Sequence, residues 1–516
     1  MIPRRLFSFT SALRRQDPHR LSLEAITGKL LEGGYRLFLA SNRGPVEYSR
    51  AADGSLEPCR GSGGVVTALT AVAKSVPMTW ISCPLGNGDR EVASLGKDGC
   101  FPSSIVGDET TSRFICVSKE AYDRYYNVFA NPLLWFLQHY MWDLPHSPHI
   151  NAATYDAWEN GYTVVNRAFA EAIVHEVAGE RTRPVVLFQD YHLYLAPGYV
   201  RQMLPDALLQ HFIHIPWPAP RYWLLLPKMM RLAIMQHLCA NDIVGFQTQR
   251  DVQNFLYTCE AYLEGAKVDF HRQTVDWQNR RVLVRAYPIS IDVHEVEQLA
   301  ASEEAQNSME KLQPLKGEYT IVRVDRLEPS KNIVRGFMAY DGLLGRYPEL
   351  AGKVKFWAFL VPSRTDLRMY QQYEEEVFAL VKQINDYHGN DAWRPIEVFH
   401  ENNYCQALAA MTCYDVLLVN PVTDGMNLVA KEGPTVNTRS GVLVLSESAG
   451  AHEQLGRYAL SVCPTDVEGT IQALNAALTM SAPERRSRAH NLREAVARED
   501  ITSWVTRQLE DILALR

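Results

Sequence analysis

Residues 415–433 read DVLLVNPVTDGMNLVAKEG. The run DVLLVN is apolar without alternation, which is how a strand buried on both faces reads. It passes through a polar turn at Thr423-Asp424-Gly425 into a stretch with helical character from Asn427, which puts Lys431 and Glu432 in the second turn. Asn427 is a good capping residue, and the positive end of the helix dipole would face out of the strand end. Strand, turn and helix in this order are one half of a βαβ unit, and the same grammar recurs along the chain.

Working outward, strand-like runs lie at 35–42, 78–85, 113–117, 184–190, 211–215, 242–247 and 281–289 in the first half. In the second half they lie at 319–324, 353–361, 396–400, 415–420, 441–447 and 459–464. Longer helical patterns separate them, for example 156–178 and 366–387. Alternation of this kind means parallel sheets covered by helices. The polar stretch 302–318 reads as a surface helix plus linker and marks the middle. The expected architecture is α/β, with two doubly wound Rossmann-like domains facing a cleft. An N-terminal extension (1–34) precedes the first domain (35–292). A linker region (293–318) leads to the second domain (319–495), and a C-terminal helix (496–516) packs back towards the first.

With 516 residues, two domains are expected. A net charge of −7 gives no sign of a nucleic-acid or membrane-surface partner. Nine cysteines lie scattered without a CxxC pair, which reads as buried thiols in a reducing cytoplasm. No apolar window is long enough to span a membrane. Residues 1–16 carry four arginines and no acid, a composition shared with transit peptides, though a basic extension is the plainer reading.

In doubly wound sheets, ligands bind beyond the carboxyl ends of the strands. Arg43 follows the first strand. A glycine loop at 61–64 precedes a helix and suits an anion. Asp190 and His214 follow two further strands. Arg326 and Lys331 follow the first strand of the second half, and a pair of cations there suits a diphosphate. Arg364 follows the next strand. Tyr126 and Trp135, in YYNVFANPLLW, read as core aromatics, with a sugar platform as the alternative. No P-loop lysine, HExxH, Asp-x-Asp pair or CxxC cluster is present, so phosphate charge falls to Arg, Lys and helix N-termini rather than to a metal.

The ordered set SNRGP, GSGG, YYNVFANPLLW, QDYHL, HIPWP, GFQT, RLEPSK, PSR and DGMNLVAKE resembles the trehalose-6-phosphate synthase family of retaining glycosyltransferases, from about residue 36 to the C-terminus. The resemblance implies the GT-B arrangement of two Rossmann domains. It also implies transfer of glucose from a nucleotide diphosphate sugar to glucose 6-phosphate, in the cytoplasm and without a cofactor or metal. Gly64, His214, Arg326, Lys331, Asp424, Gly425, Met426, Asn427, Leu428, Val429 and Glu432 would bind the donor, with Glu432 on the ribose. Arg43, Tyr126, Trp135, Asp190 and Arg364 would bind the acceptor. Arg326, Lys331, His214, Asp190 and Asp424 form the implied catalytic set. Lys431 lies about 100° around the helix from Glu432 and is given no substrate contact.

The chain departs from the family in reading Arg-Leu-Glu-Pro-Ser-Lys-Asn where Arg-Leu-Asp-Tyr-Ser-Lys-Gly is usual. That departure resembles the validamycin-pathway pseudoglycosyltransferase branch, while the intact DGMNLVAKE favours a true sugar donor. Transfer to glycerol 3-phosphate, and a non-catalytic sugar-phosphate sensor on the same fold, are the remaining alternatives. Partners other than nucleotide sugar and sugar phosphate are not implied, and homo-oligomerisation, like the donor base, is left open.

Overall fold

The computed structural model describes residues 22–515 except 52–53, 61–68, 71–72, 74–75, 96–99, 103–109, 179–181 and 366. The basic stretch 1–16 and the glycine loop with Gly64 therefore lie outside the described residues.

The first half carries β1 (Tyr35–Ser41), β2 (Val46–Arg50), β3 (Leu56–Arg60), β4 (Met78–Ser82), β5 (Cys100–Pro102) and β6 (Thr110–Phe114). It continues with β7 (Arg183–Gln189), β8 (Leu208–Ile213), β9 (Ile243–Phe246), β10 (Lys267–Asp269), β11 (Thr274–Trp277) and β12 (Arg280–Ala286). The second half carries β13 (Tyr319–Arg326), β14 (Val354–Val361), β15 (Ile396–Phe399), β16 (Val416–Val419), β17 (Val442–Ser446) and β18 (Leu460–Val462).

Two large sheets result. The second has the order β15-β14-β13-β16-β17-β18, and every pairing in it is parallel. The first has the parallel series β12-β9-β8-β7-β1-β4-β6, with an antiparallel β10–β11 hairpin at one edge and β5 at the other. Both orders reverse direction at one point, between β1 and β7 and between β13 and β16. At such a switch point the crossovers leave to opposite faces, and a crevice opens above the strand ends. The strands read as uninterrupted apolar runs because helices cover both faces: every residue of β4, β16 and β17 is buried.

Several boundaries differ from the sequence reading. The β2–β3 hairpin and the β10–β11 ribbon are additions, being short and polar enough to escape an apolar-run search. The stretch 293–318 carries the expected helix and one more before it. It forms helices Val293–Ala300 and Glu303–Leu312, whose Val296, Ala305 and Leu312 enter a core shared with Leu408 and Tyr414. The segment YYNVFANPLLW lies within a wide-turned π-helix, Arg124–Trp135, interrupted by Pro132. Cys59, Cys116 and Cys463 are exposed, so the thiols are not uniformly buried.

The C-terminal helix Ile501–Ala514 crosses back to the first sheet. Trp504, 3% exposed, donates from Nε1 to the Tyr287 carbonyl at 3.1 Å and meets the Phe212 ring edge-on at 5.2 Å. Gln508 accepts from Gln210, and Asp511 accepts from the Tyr287 hydroxyl, both at 2.6 Å. The helix thus ties the end of the second half to the first.

A cationic cleft between two strand-end switch points

The opening stretch folds as a turn after β16, and its helix starts later than the sequence suggests, at Val429 (Val429–Val436). Lys431 and Glu432 therefore sit in the first turn. Asn427 adopts φ +77°, and its Oδ1 accepts from the Ala430 N–H at 3.2 Å while its Nδ2 donates to Asp424 at 3.2 Å. The cap is real, though displaced by the left-handed residue. The first N–H groups of a helix have no acceptor within it, and here they begin at Leu428 and Val429. Met426 is 4% exposed and packs in the core, so its side chain supports the turn from below.

Asp424 is the hub of the turn. Its carboxylate forms a short ion pair with the Lys331 ammonium. Burial would raise the Asp424 pKa, but the charge and hydrogen bond of Lys331, with smaller help from His139 and Asn427, together hold the carboxyl below its usual value. Lys331 is 11% exposed at the side chain and also lies 3.9 Å from Glu328. Arg326 is half-exposed and pairs with the same Glu328 oxygen at 3.2 Å. Asn332, at φ +58°, donates to the carbonyls of Asn420 and Pro464 at 2.9 and 2.7 Å. Arg323, fully buried beside Asp325, donates to the Lys331 carbonyl at 2.9 Å. These contacts pin the loop that presents Arg326 and Lys331.

Arg364 stands opposite, at φ +47°. Its guanidinium lies 4.7 Å over the Trp135 ring and 5.4 Å over the Tyr370 ring. It donates to the hydroxyls of Tyr370 and, at 3.4 Å, Tyr191. Trp135 is 2% exposed, and its ring also lies 4.0 Å from that of His139. It is the seat on which the Arg364 guanidinium rests. Tyr126 is half-buried and stacks on His192 at 5.7 Å. Arg43 is exposed at the end of β1, 3.7 Å from Glu47.

Asp190 closes the first switch point in a strained conformation, φ +69° and ψ 175°. Its Oδ1 accepts from the His214 N–H at 3.2 Å, and burial pushes its pKa up to about 7. The His214 ring is already satisfied: one nitrogen meets Gln189 at 2.9 Å and the other Gln247 at 3.4 Å. Burial lowers its pKa to about 3, so the imidazole is neutral and does not act as a general acid at neutral pH. The two halves meet at this residue: a Cβ added to Gly425 would lie 1.9 Å from the His214 carbonyl oxygen.

Glu432 accepts from the Tyr404 hydroxyl at 3.0 Å, and burial pushes its pKa up to about 7. Lys431, 1% exposed, points away and donates to the Ile289 carbonyl at 2.6 Å, tying the helix Val429–Val436 to the first half. Sequence reasoning missed Glu328, His139, Tyr191, Tyr370 and Tyr404. Only Glu328 carried a signal, as an acid between two cations. Among the described residues no group of three His, Cys, Asp or Glu could hold a metal ion.

Residues 35–514 match glycosyltransferase family 20. The chain belongs to that family. This glycosyltransferase is 30% identical to alpha,alpha-trehalose-phosphate synthase [UDP-forming] 2 of Aspergillus niger, over 93% of this chain and 97% of that protein. It is 28% identical to validamine 7-phosphate valienyltransferase of Streptomyces hygroscopicus subsp. limoneus, over 93% and 95%. Among solved structures, the E. coli trehalose-6-phosphate protein bound with UDP-2-fluoro glucose superposes with a TM-score of 0.78 at 27% identity, covering 92% of this chain and 98% of that one. The Burkholderia xenovorans alpha,alpha-trehalose-phosphate synthase in complex with glucose-6-phosphate gives 0.78 at 27%, covering 93% and 100%. The two parallel sheets expected from the sequence are thus those of a GT-B transferase.

Proposed function

We propose that this chain transfers glucose from UDP-glucose to glucose 6-phosphate, with retention, giving trehalose 6-phosphate. The observation that carries the reading is the placement of three cations, Arg326, Lys331 and Arg364, at strand ends of the second sheet around one buried carboxylate, Glu328. Arg326, Lys331 and the N-terminus of the helix Val429–Val436 suit the diphosphate. Arg364, on its aromatic seat, suits the acceptor phosphate, with Arg43 at the rim. Glu432 suits the ribose, and Asp424 with Asn427 the hydroxyls of the donor sugar.

The acceptor hydroxyl attacks on the face that the diphosphate leaves, through an oxocarbenium-like state. With burial lowering its pKa to about 3 and both ring nitrogens engaged, His214 is too weak a base to take the proton of the acceptor hydroxyl, which passes to the departing phosphate oxygen. Arg326 and Lys331 stabilise the charge that grows on it. Lys331 meets the diphosphate by exchanging it for Asp424, which frees Asp424 for sugar hydroxyls. Cationic side chains thereby perform the charge compensation that a metal supplies elsewhere. Transfer of a pseudo-sugar is the second reading, favoured by the Glu328-Pro329-Ser330-Lys331-Asn332 departure and by the valienyltransferase relative.

The test is a matrix of UDP-, ADP- and GDP-glucose against glucose 6-phosphate, glycerol 3-phosphate and no acceptor, read by mass spectrometry. The reading expects acceptor-dependent release of UDP and a trehalose 6-phosphate product. Binding without turnover, or release indifferent to glucose 6-phosphate, would refute it.

A further inference from the structure

Glu328 has no part in the roles above, yet it stands at their centre. Its side chain is 1% exposed. One carboxylate oxygen, Oε1, serves three groups: it accepts from the Ser330 hydroxyl at 3.1 Å, pairs with Arg326 at 3.2 Å and faces Lys331 at 3.9 Å. The other, Oε2, is buried with no hydrogen-bond partner among the described residues. Burial would neutralise such a group, but the charges of Arg326, Lys331 and then Arg364 outweigh it and hold the acid below its ordinary pKa. Glu328 is therefore ionised at neutral pH.

A buried carboxylate with one unsatisfied oxygen is costly to keep. An amide of the same shape would carry no charge into the site. What the charge does is fixed by its neighbours. It draws Arg326 and Lys331 to a common point, which sets their spacing before a diphosphate arrives. It also repels any phosphate those cations bind, since it lies behind them on the same loop. The first effect favours the transition state, in which charge on the leaving group must be met by cations already in place. The second weakens retention of the product nucleoside diphosphate.

We propose that Glu328 is a positioning residue that also sets the anion affinity of the site, holding Arg326 and Lys331 in register while keeping the nucleoside diphosphate product loosely bound. The inference rests on the assignment of Arg326 and Lys331 to the donor diphosphate. It separates from a purely structural role by sign. If Glu328 only held the loop together, its loss would weaken UDP binding. If its charge opposes the bound phosphates, its loss strengthens UDP binding while turnover falls.

The experiment is calorimetric titration of the full-length wild type and of Glu328→Gln with UDP, alongside steady-state kinetics. Glu328→Gln is expected to bind UDP about tenfold more tightly. Its kcat should fall, with a lower donor KM. Glu328→Asp, which keeps the charge but shortens the reach, is expected to bind UDP as the wild type does and still lose kcat. A second comparison does not depend on the single variant folding well: adding Glu328→Gln to Arg326→Ala should recover part of the UDP affinity that Arg326→Ala loses. Equal or weaker UDP binding by Glu328→Gln, or no recovery in the double variant, overturns the proposal. Failure of the wild type to bind UDP, ADP or GDP at all overturns it together with the diphosphate assignment beneath it.

Discussion

Arg364→Lys is the sharpest test of the acceptor side. The arginine is held on three sides: 4.7 Å over Trp135, 5.4 Å over Tyr370, and by hydroxyls of Tyr370 and Tyr191. That seat leaves the planar fork one orientation, which suits two oxygens of one phosphate. Lysine keeps the charge but cannot stack flat or donate two parallel bonds. One charge-assisted hydrogen bond contributes about 1.5–3 kcal/mol, and a desolvated cation–π contact roughly 0.5–2 kcal/mol. Losing one such bond and part of the stacking costs about 3 kcal/mol, which is roughly 100-fold in affinity. Initial rates with glucose 6-phosphate as the varied substrate should show KM rising about 100-fold, while the affinity for UDP, measured by calorimetry, stays unchanged. Preference for glucose 6-phosphate over unphosphorylated glucose should fall in step, because only the phosphate contact is lost. An acceptor KM within threefold of the wild type, or an equal loss with both acceptors, would show that Arg364 does not read the phosphate.

Three further outcomes follow from other parts of the cleft. Gly425→Ala would place a Cβ 1.9 Å from the His214 carbonyl, so the halves cannot meet as they do here; kcat should drop at least about tenfold and the unfolding midpoint should fall, and normal turnover would refute the contact. Glu432, pushed up to about 7 by burial and pulled down by Tyr404, is a carboxylate above that pH and a neutral acid below it. Since the carboxylate is the better acceptor for ribose hydroxyls, donor KM should rise as pH falls through about 7, and Tyr404→Phe should move that inflection upward; a flat KM from pH 6 to 8 would sink the role. Trp504→Ala removes a buried ring and its bond to Tyr287, so urea denaturation should show a loss of about 3–5 kcal/mol, and an unmoved midpoint would mean that the C-terminal helix is not a structural tie.

Much of the site was readable because its groups follow strands. Arg326, Lys331, Asp424 and Asp190 each stand within a few residues of an apolar run, and the doubly wound topology opens those ends on one crevice. Trp135 and His214 were readable as positions, while the neighbours that hold their rings were not. Whether a Trp ring is a platform or a seat depends on what covers its face, and Arg364 arrives there from 229 residues later in the chain. Nothing adjacent in the chain shows what satisfies the His214 ring; Gln189 and Gln247 reach it from the ends of neighbouring strands.

By itself the sequence determined the layered α/β architecture, because burial on both sheet faces demands continuous apolar runs and those are local. It also determined which loops carry charge. The tertiary structure alone decided the pairing of that charge: Lys331 with Asp424, Arg326 with Glu328, Lys431 with the Ile289 carbonyl. Pairing is set by distance in space, and in a low-dielectric cleft a few ångströms separate a strong interaction from a weak one. DGMNLVAKE shows both limits. Its strand, turn and helix follow from local pattern, while the division of labour between adjacent Lys431 and Glu432 depends on which half of the molecule each one faces.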